Sequence, residues 1–223
     1  LHDALPISIG CGEPGYHGTF LPEKISYSQK VKRVSSGTET WYGDIRAAVD
    51  ESVEGDEIIV YPGVYNGFTL RGYSDLNPNG RTDPNVVIRS WNYDDPNENS
   101  KPKLIGVDTI IDIFNNHSTV KGFVISGGQY GIKLYNSNSL ISNNVFESNT
   151  EVGIYCDGNS DSVIAQNIIG DGSSTSKVGI ETKDAASVTI FSNIIKHNLT
   201  GIRIDSPDVK LWNNTIVKNH ERG

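Results

Sequence analysis

Two columns of side chains hold most of the chemistry that this chain can offer. Along a repeated G-I-x-I-x segment, the x positions read Asp112, Lys133, Tyr155, Glu181 and Arg203 in one column, and Phe114, Tyr135, Asp157, Lys183 and Asp205 in the other. Successive side chains of a strand point to opposite faces, so the x positions share one face and the Ile positions the other. Stacked strands lie about 4.8 Å apart, which makes the columns a continuous patch of acids, cations and aromatic rings. A sugar chain suits such a patch. Tyr135 and Tyr155 are flat, partly apolar and tipped with a hydroxyl, fit to carry a sugar ring, with Lys133 as a cation beside them. A solvated sheet face also displays mixed charge, and a cross-strand pair such as Glu181 with Arg203 then adds only about a few tenths of a kcal/mol.

The segments recur because the chain repeats. An Asn row passes through Asn144, Asn167, Asn193 and Asn214 at separations of 23, 26 and 21, and a Gly row through Gly131, Gly153, Gly179 and Gly201 at 22, 26 and 22. Two rows sharing a period predict a solenoid in which each coil packs only on its neighbours. The inward rows are Ile111, Ile132, Ile154, Ile180, Ile202; Ile113, Leu134, Cys156, Thr182, Ile204; Ile141, Ile164, Ile190, Leu211; and Val124, Phe146, Ile169, Ile195, Ile216. Cys156 is thereby a small apolar filler. Asn tolerates left-handed backbone angles and its amide can bond the same amide one coil away, so the Asn row reads as turn architecture, with Gly122 making the first such bend. The stretch Asp171 to Lys177 lengthens one coil and could wall a groove.

At 223 residues, 36% hydrophobic and a formal net charge of −8, the chain fits one stacked domain. The negative balance and the lack of a basic run argue against nucleic acid and anionic lipid as partners, and no apolar stretch reaches the length of a membrane span. Neutral sugars, and acidic sugars bridged by a cation, both remain. Residues 1–8 read as an adaptor-derived artefact, 9–39 as an irregular lead-in, and 40–223 as the repeat domain. Because Gly223 falls on the next position of the Gly row, the repeat is expected to continue beyond it. Trp41, Ile45, Ala48 and Val49 lie on one helical face, which predicts a capping helix over about Trp41 to Ser52. His17, His117, His197 and His220 have no metal-ligand spacing and read as surface residues. Asn116, Asn198 and Asn213 begin N-x-S/T triplets that match glycosylation acceptors.

Three segments carry a resemblance: G-D-E-I-I-V-Y-P-G-V-Y at Gly55 to Tyr65, P-N-V-V-I-R-S at Pro84 to Ser90, and S-T-V-K-G-F-V-I-S-G-G at Ser118 to Gly128. With the helix before them, they resemble the opening of right-handed parallel β-helix proteins of the pectate-lyase-like superfamily, over roughly Ser35 to Gly223. The resemblance implies an all-β fold, a right-handed parallel β-helix with an N-terminal capping α-helix and roughly five regular coils. It also implies a secreted or cell-envelope monomer acting on polysaccharide. In the lyases of that superfamily a hard cation such as Ca²⁺ takes carboxylate oxygens and acidifies the proton beside a uronate carboxyl, and a Lys or Arg removes it. Carried over, Asp157, Glu181 and Asp205 become the metal ligands and Lys183 and Arg203 the base candidates. The motifs of polygalacturonase-like hydrolases, mannuronan epimerases and the R-x-P-x-x-R lyases are absent. Two readings follow: a lyase-like enzyme cleaving uronate polymers by β-elimination, or a non-catalytic module for carbohydrate binding, adhesion or envelope assembly.

Overall fold

A computed structural model describes residues 30–72, 80–95, 97–114, 116–158, 161–170, 176–184 and 187–220. Three sheets, parallel except for a hairpin at the start of the nine-stranded one, run along a solenoid, because each coil adds one strand to each sheet in turn. The six-stranded sheet stacks Phe68–Arg71, Thr109–Phe114, Tyr130–Tyr135, Val152–Asp157, Val178–Lys183 and Thr200–Asp205 in chain order. The seven-stranded sheet runs from Val64–Asn66 to Thr215–Val217, and the nine-stranded sheet ends on Lys210–Trp212. Five regular coils begin at Thr119, Leu140, Val163, Thr189 and Lys210, after two coils with longer excursions. No helix of the described residues is long and apolar enough to cross a membrane.

The start of the repeat differs from expectation. Val31–Ser35 and Thr38–Tyr42 form a hairpin, and Val31–Ser35 pairs antiparallel with Glu57–Val60, so residues 31–39 are sheet and not irregular. Ser36 and Gly37 both take positive φ, 47° and 81°, as a tight two-residue hairpin turn requires. The helix is confined to Ile45–Asp50, capped by the Asp44 carboxylate, which accepts from the Ala47 backbone N–H at 2.7 Å. Trp41 belongs to the strand before it, with its ring centroid 5.4 Å from that of Tyr61 and the Lys32 ammonium 5.7 Å away. Its helical phase with Ile45 is a coincidence of spacing that tertiary stacking overrides. Ile45, Ala48 and Val49 are buried and join the core.

Inside the coils, three of the four expected inward rows stand, and burial is complete from Ile111 and Ile113 to Ile180 and Ile190. The fourth row begins on Ile125, not Val124: Ile125 pairs with Phe146, and Val124 with Val145. Towards the end of the rows exposure rises: Ile204 is 45% and Leu211 44% exposed where the equivalent Leu134 and Ile141 are 0%, while Ile202 and Ile216 are partly buried against the core.

The Asn row forms a buried ladder. The backbone N–H and the side-chain Nδ2 of Asn144 both donate to Oδ1 of Asn167, at 3.0 and 3.2 Å; Asn167 repeats this onto Asn193, and Asn193 onto Asn214. The left-handed angle, however, belongs to the residue before each ladder amide: Asn143, Gln166, Ser192 and Asn213 have φ of 54° to 58°, and Gly122 is their equivalent at 86°. Fixing that angle is what lets the next residue aim its amide along the stack. The Gly row has another cause. A methyl on Gly131, Gly153 or Gly179 would lie 2.5, 2.7 or 2.6 Å from the carbonyl oxygen of the next glycine in the row, so the close approach of coils excludes a side chain there.

Candidate binding face

The outer face of the six-stranded sheet carries the two columns in the expected register. Asp112 pairs with Lys133, Lys133 with Tyr155, Tyr155 with Glu181 and Glu181 with Arg203; Phe114, Tyr135, Asp157, Lys183 and Asp205 follow one another in the same way. The columns also begin one coil earlier, on Thr69 and Arg71, which pair with Asp112 and Phe114. The segment G-F-T-L-R at Gly67 to Arg71 fits the G-I-x-I-x pattern, so the signal for that coil was present in the sequence.

Aromatic rings group on the first coils of this face. Phe114 and Tyr135 stack with centroids 4.7 Å apart and planes 7° from parallel. Tyr155 meets Tyr135 edge-on at 6.3 Å and Tyr130 edge-on at 5.9 Å. The Lys133 ammonium lies 3.8 Å from the Tyr130 ring centroid and the Arg71 guanidinium 5.5 Å from that of Phe114, both within cation–π range. Tyr130 was not foreseen. It heads its strand, where the other coils place Thr109, Val152, Val178 and Thr200; one bulky ring among β-branched residues is the signal that marks it.

Polar groups tie these rings down. The Tyr155 hydroxyl donates to Asp157 Oδ2 at 3.1 Å, and Asp157 Oδ1 accepts the Gly158 N–H at 2.8 Å. Burial, and then the charge of Asp157, pushes the Tyr155 phenol up; burial, then the charges of Asp112 and Asp157, pushes Tyr135 up. Burial also raises Asp112, against the pull of Lys133 and Arg71. Cys156, fully buried beneath the face, has its thiol pushed up to about 12 by burial and the Asp157 charge, which makes it an inert filler.

The proposed catalytic and metal residues are arranged differently. Arg203 is bound to Glu181 at 3.1 Å, and Lys183 occupies the register position between Asp157 and Asp205. The three carboxylates therefore alternate with cations. Among the described residues no group of three or more His, Cys, Asp or Glu could hold a metal ion. A Ca²⁺ ion takes six to eight oxygens at about 2.3–2.6 Å, and this donor set, with a lysine set between two of its members, does not fit it. His17 and residues 171–175 of the lengthened coil lie outside the described residues. Asn116 and Asn198 are buried, at 1% and 0%, so their triplets are no accessible acceptors.

The face is open. Cavities of about 620, 360 and 240 Å³ lie beside the short helix, beside Lys103 and beside Tyr93, and no residue of the two columns lines them. Rings in a row over three coils suit an extended chain.

Three parallel sheets wound by short coils define a parallel β-solenoid. A family model described as a right handed beta helix region matches residues 109–223, and the chain belongs to that family. No curated protein and no solved structure matches the chain. The fold occurs in carbohydrate-active enzymes and in binding proteins alike, so function must be argued from the face.

Proposed function

We propose that this protein is a secreted or envelope polysaccharide-binding protein that acts as a monomer and holds its ligand on the outer face of the six-stranded sheet. The observation that carries this reading is the ring group Phe114, Tyr135, Tyr155 and Tyr130, spread over three successive coils. Those rings span about 10 Å along the stack, two inter-strand steps, and present flat apolar surface beside hydrogen-bonding hydroxyls and the Asp157 carboxylate. Lys133, held over Tyr130, contributes a donor at the edge of the same platform.

Binding is favoured over β-elimination by the state of the groups that elimination would need. A base must reach the substrate proton unencumbered; of the two candidates Arg203 is engaged by Glu181, and Lys183 stands exposed between Asp157 and Asp205. The cation that would acidify that proton lacks a gathered donor set. Titrating the protein into a panel of soluble polysaccharides by calorimetry tests the reading, with parallel absorbance assays for unsaturated products with and without Ca²⁺. Saturable binding without product release is the expected outcome. Product formation would restore the lyase reading, and absence of binding to every polymer would remove the platform from consideration.

A further inference from the structure

The charge pattern of the face narrows the ligand, given that the face binds polysaccharide at all. From Arg71 to Asp205 the two columns hold four cations, Arg71, Lys133, Lys183 and Arg203, and four acids, Asp112, Asp157, Glu181 and Asp205. They are set as a checkerboard. Lys183 has Asp157 and Asp205 as its neighbours along the column, and Arg203 has Glu181, with which it forms an ion pair at 3.1 Å. At the other end Asp112 is the column neighbour of Lys133, and both Lys133 and Arg71 act on its charge. Each cation thus already faces an acid, a ring, or both.

We infer that the ligand is a neutral polysaccharide, one without uronate, sulfate or amine charge. A uronate chain lying along either column would meet as many carboxylates as cations at successive steps of about 4.8 Å, so attraction and repulsion cancel over its length. To use Arg203 it would first have to displace Glu181. The chain's net charge of −8 repels a polyanion at longer range as well. A polycation gains nothing from the face for the same reason: the acids are matched there. What the face offers without opposition is ring surface and uncharged hydrogen bonding from Tyr130, Tyr135 and Tyr155, and neutral sugars are the chemistry that uses both.

The test is a calorimetric comparison of the whole chain on β-glucan, xylan and galactomannan against polygalacturonate, alginate and chitosan. The neutral arm is expected to contain the tightest ligand, with an affinity that changes less than about twofold between low and high salt, since screening acts on exposed charges. Glu181→Gln, which releases Arg203, should raise polygalacturonate affinity about threefold; the loss of one exposed pair is worth about that much. Tighter binding of any charged polymer, or a salt-sensitive neutral affinity, would overturn this inference while leaving polysaccharide binding intact. Binding to none of the six would overturn both.

Discussion

The two halves of the outer face share one backbone and one register but hold their side chains by different forces. From Arg71 to Asp157 the side chains are half-buried and packed ring on ring, whereas Lys183, Arg203 and Asp205 are exposed, the last two on the final described strand of the sheet, and Arg203 pairs with Glu181. An aromatic pair contributes about 0.5–1.5 kcal/mol beyond its buried area, and an exposed ion pair about 0–1 kcal/mol. The first half is therefore set in place before any ligand arrives, and the second must be ordered by it.

Four substitutions can break that contrast or sharpen it. Tyr135→Ala removes the ring that touches both Phe114 and Tyr155, and polysaccharide affinity should fall about tenfold or more by calorimetry, the equivalent of about 1.4 kcal/mol. Lys183→Ala and Arg203→Ala should each change it less than about twofold; a tenfold loss from either would move the site to the charged half. Thermal unfolding should separate the halves as well. Tyr135→Ala costs about 1–2 kcal/mol of stability, and Lys183→Ala stays within about 0.5 kcal/mol of the parent. A smaller gain is expected from Glu181→Tyr, which adds a ring next to Tyr155 in the column; affinity for the neutral polymer should rise about threefold, the size of one favourable cross-strand pair. No gain would mean that the platform cannot be extended along the stack.

The scaffold was legible because its causes are local and repeat. A glycine excluded by the next coil's carbonyl, or an amide aimed at the next amide, recurs once per coil and writes a period into the sequence. Small displacements within that pattern were not legible. Val124 and Ile125 are both apolar, and only pairing of Ile125 with Phe146 decides which one faces inward. Likewise, Trp41 carries the period of a helix and the chemistry of a strand, and its neighbour Tyr61 comes from a different coil. On the face, the columns themselves followed from alternation. Tyr130 did not, because it stands at an inward-phase position and joins the face only where Gly131 leaves the regular pairing. The grouping of Asp157, Glu181 and Asp205 as one metal centre rests on residue types alone, and the register sets Lys183 between Asp157 and Asp205.

Asp112 offers the smallest expected effect and the most specific one, because burial acts on the charge of this acid in the half-buried part of the face. Burial raises its carboxyl pKa above the ordinary 3.8, despite the opposing charges of Lys133 and Arg71. The folded state thus holds the proton more tightly than the unfolded chain does. Below the ordinary value both states are protonated and the group has no effect on stability; as pH rises through it towards the raised folded value, ionisation begins to cost stability, and above both the full cost remains. Asp112→Asn should accordingly raise the unfolding midpoint at neutral pH, and the advantage should vanish as pH falls below about 4. Comparing urea unfolding of the two proteins across that range measures it. If the Asn variant is instead less stable at neutral pH, Asp112 is held chiefly by its two cations, and the packed half of the face relies on the same ion pairing as the exposed half.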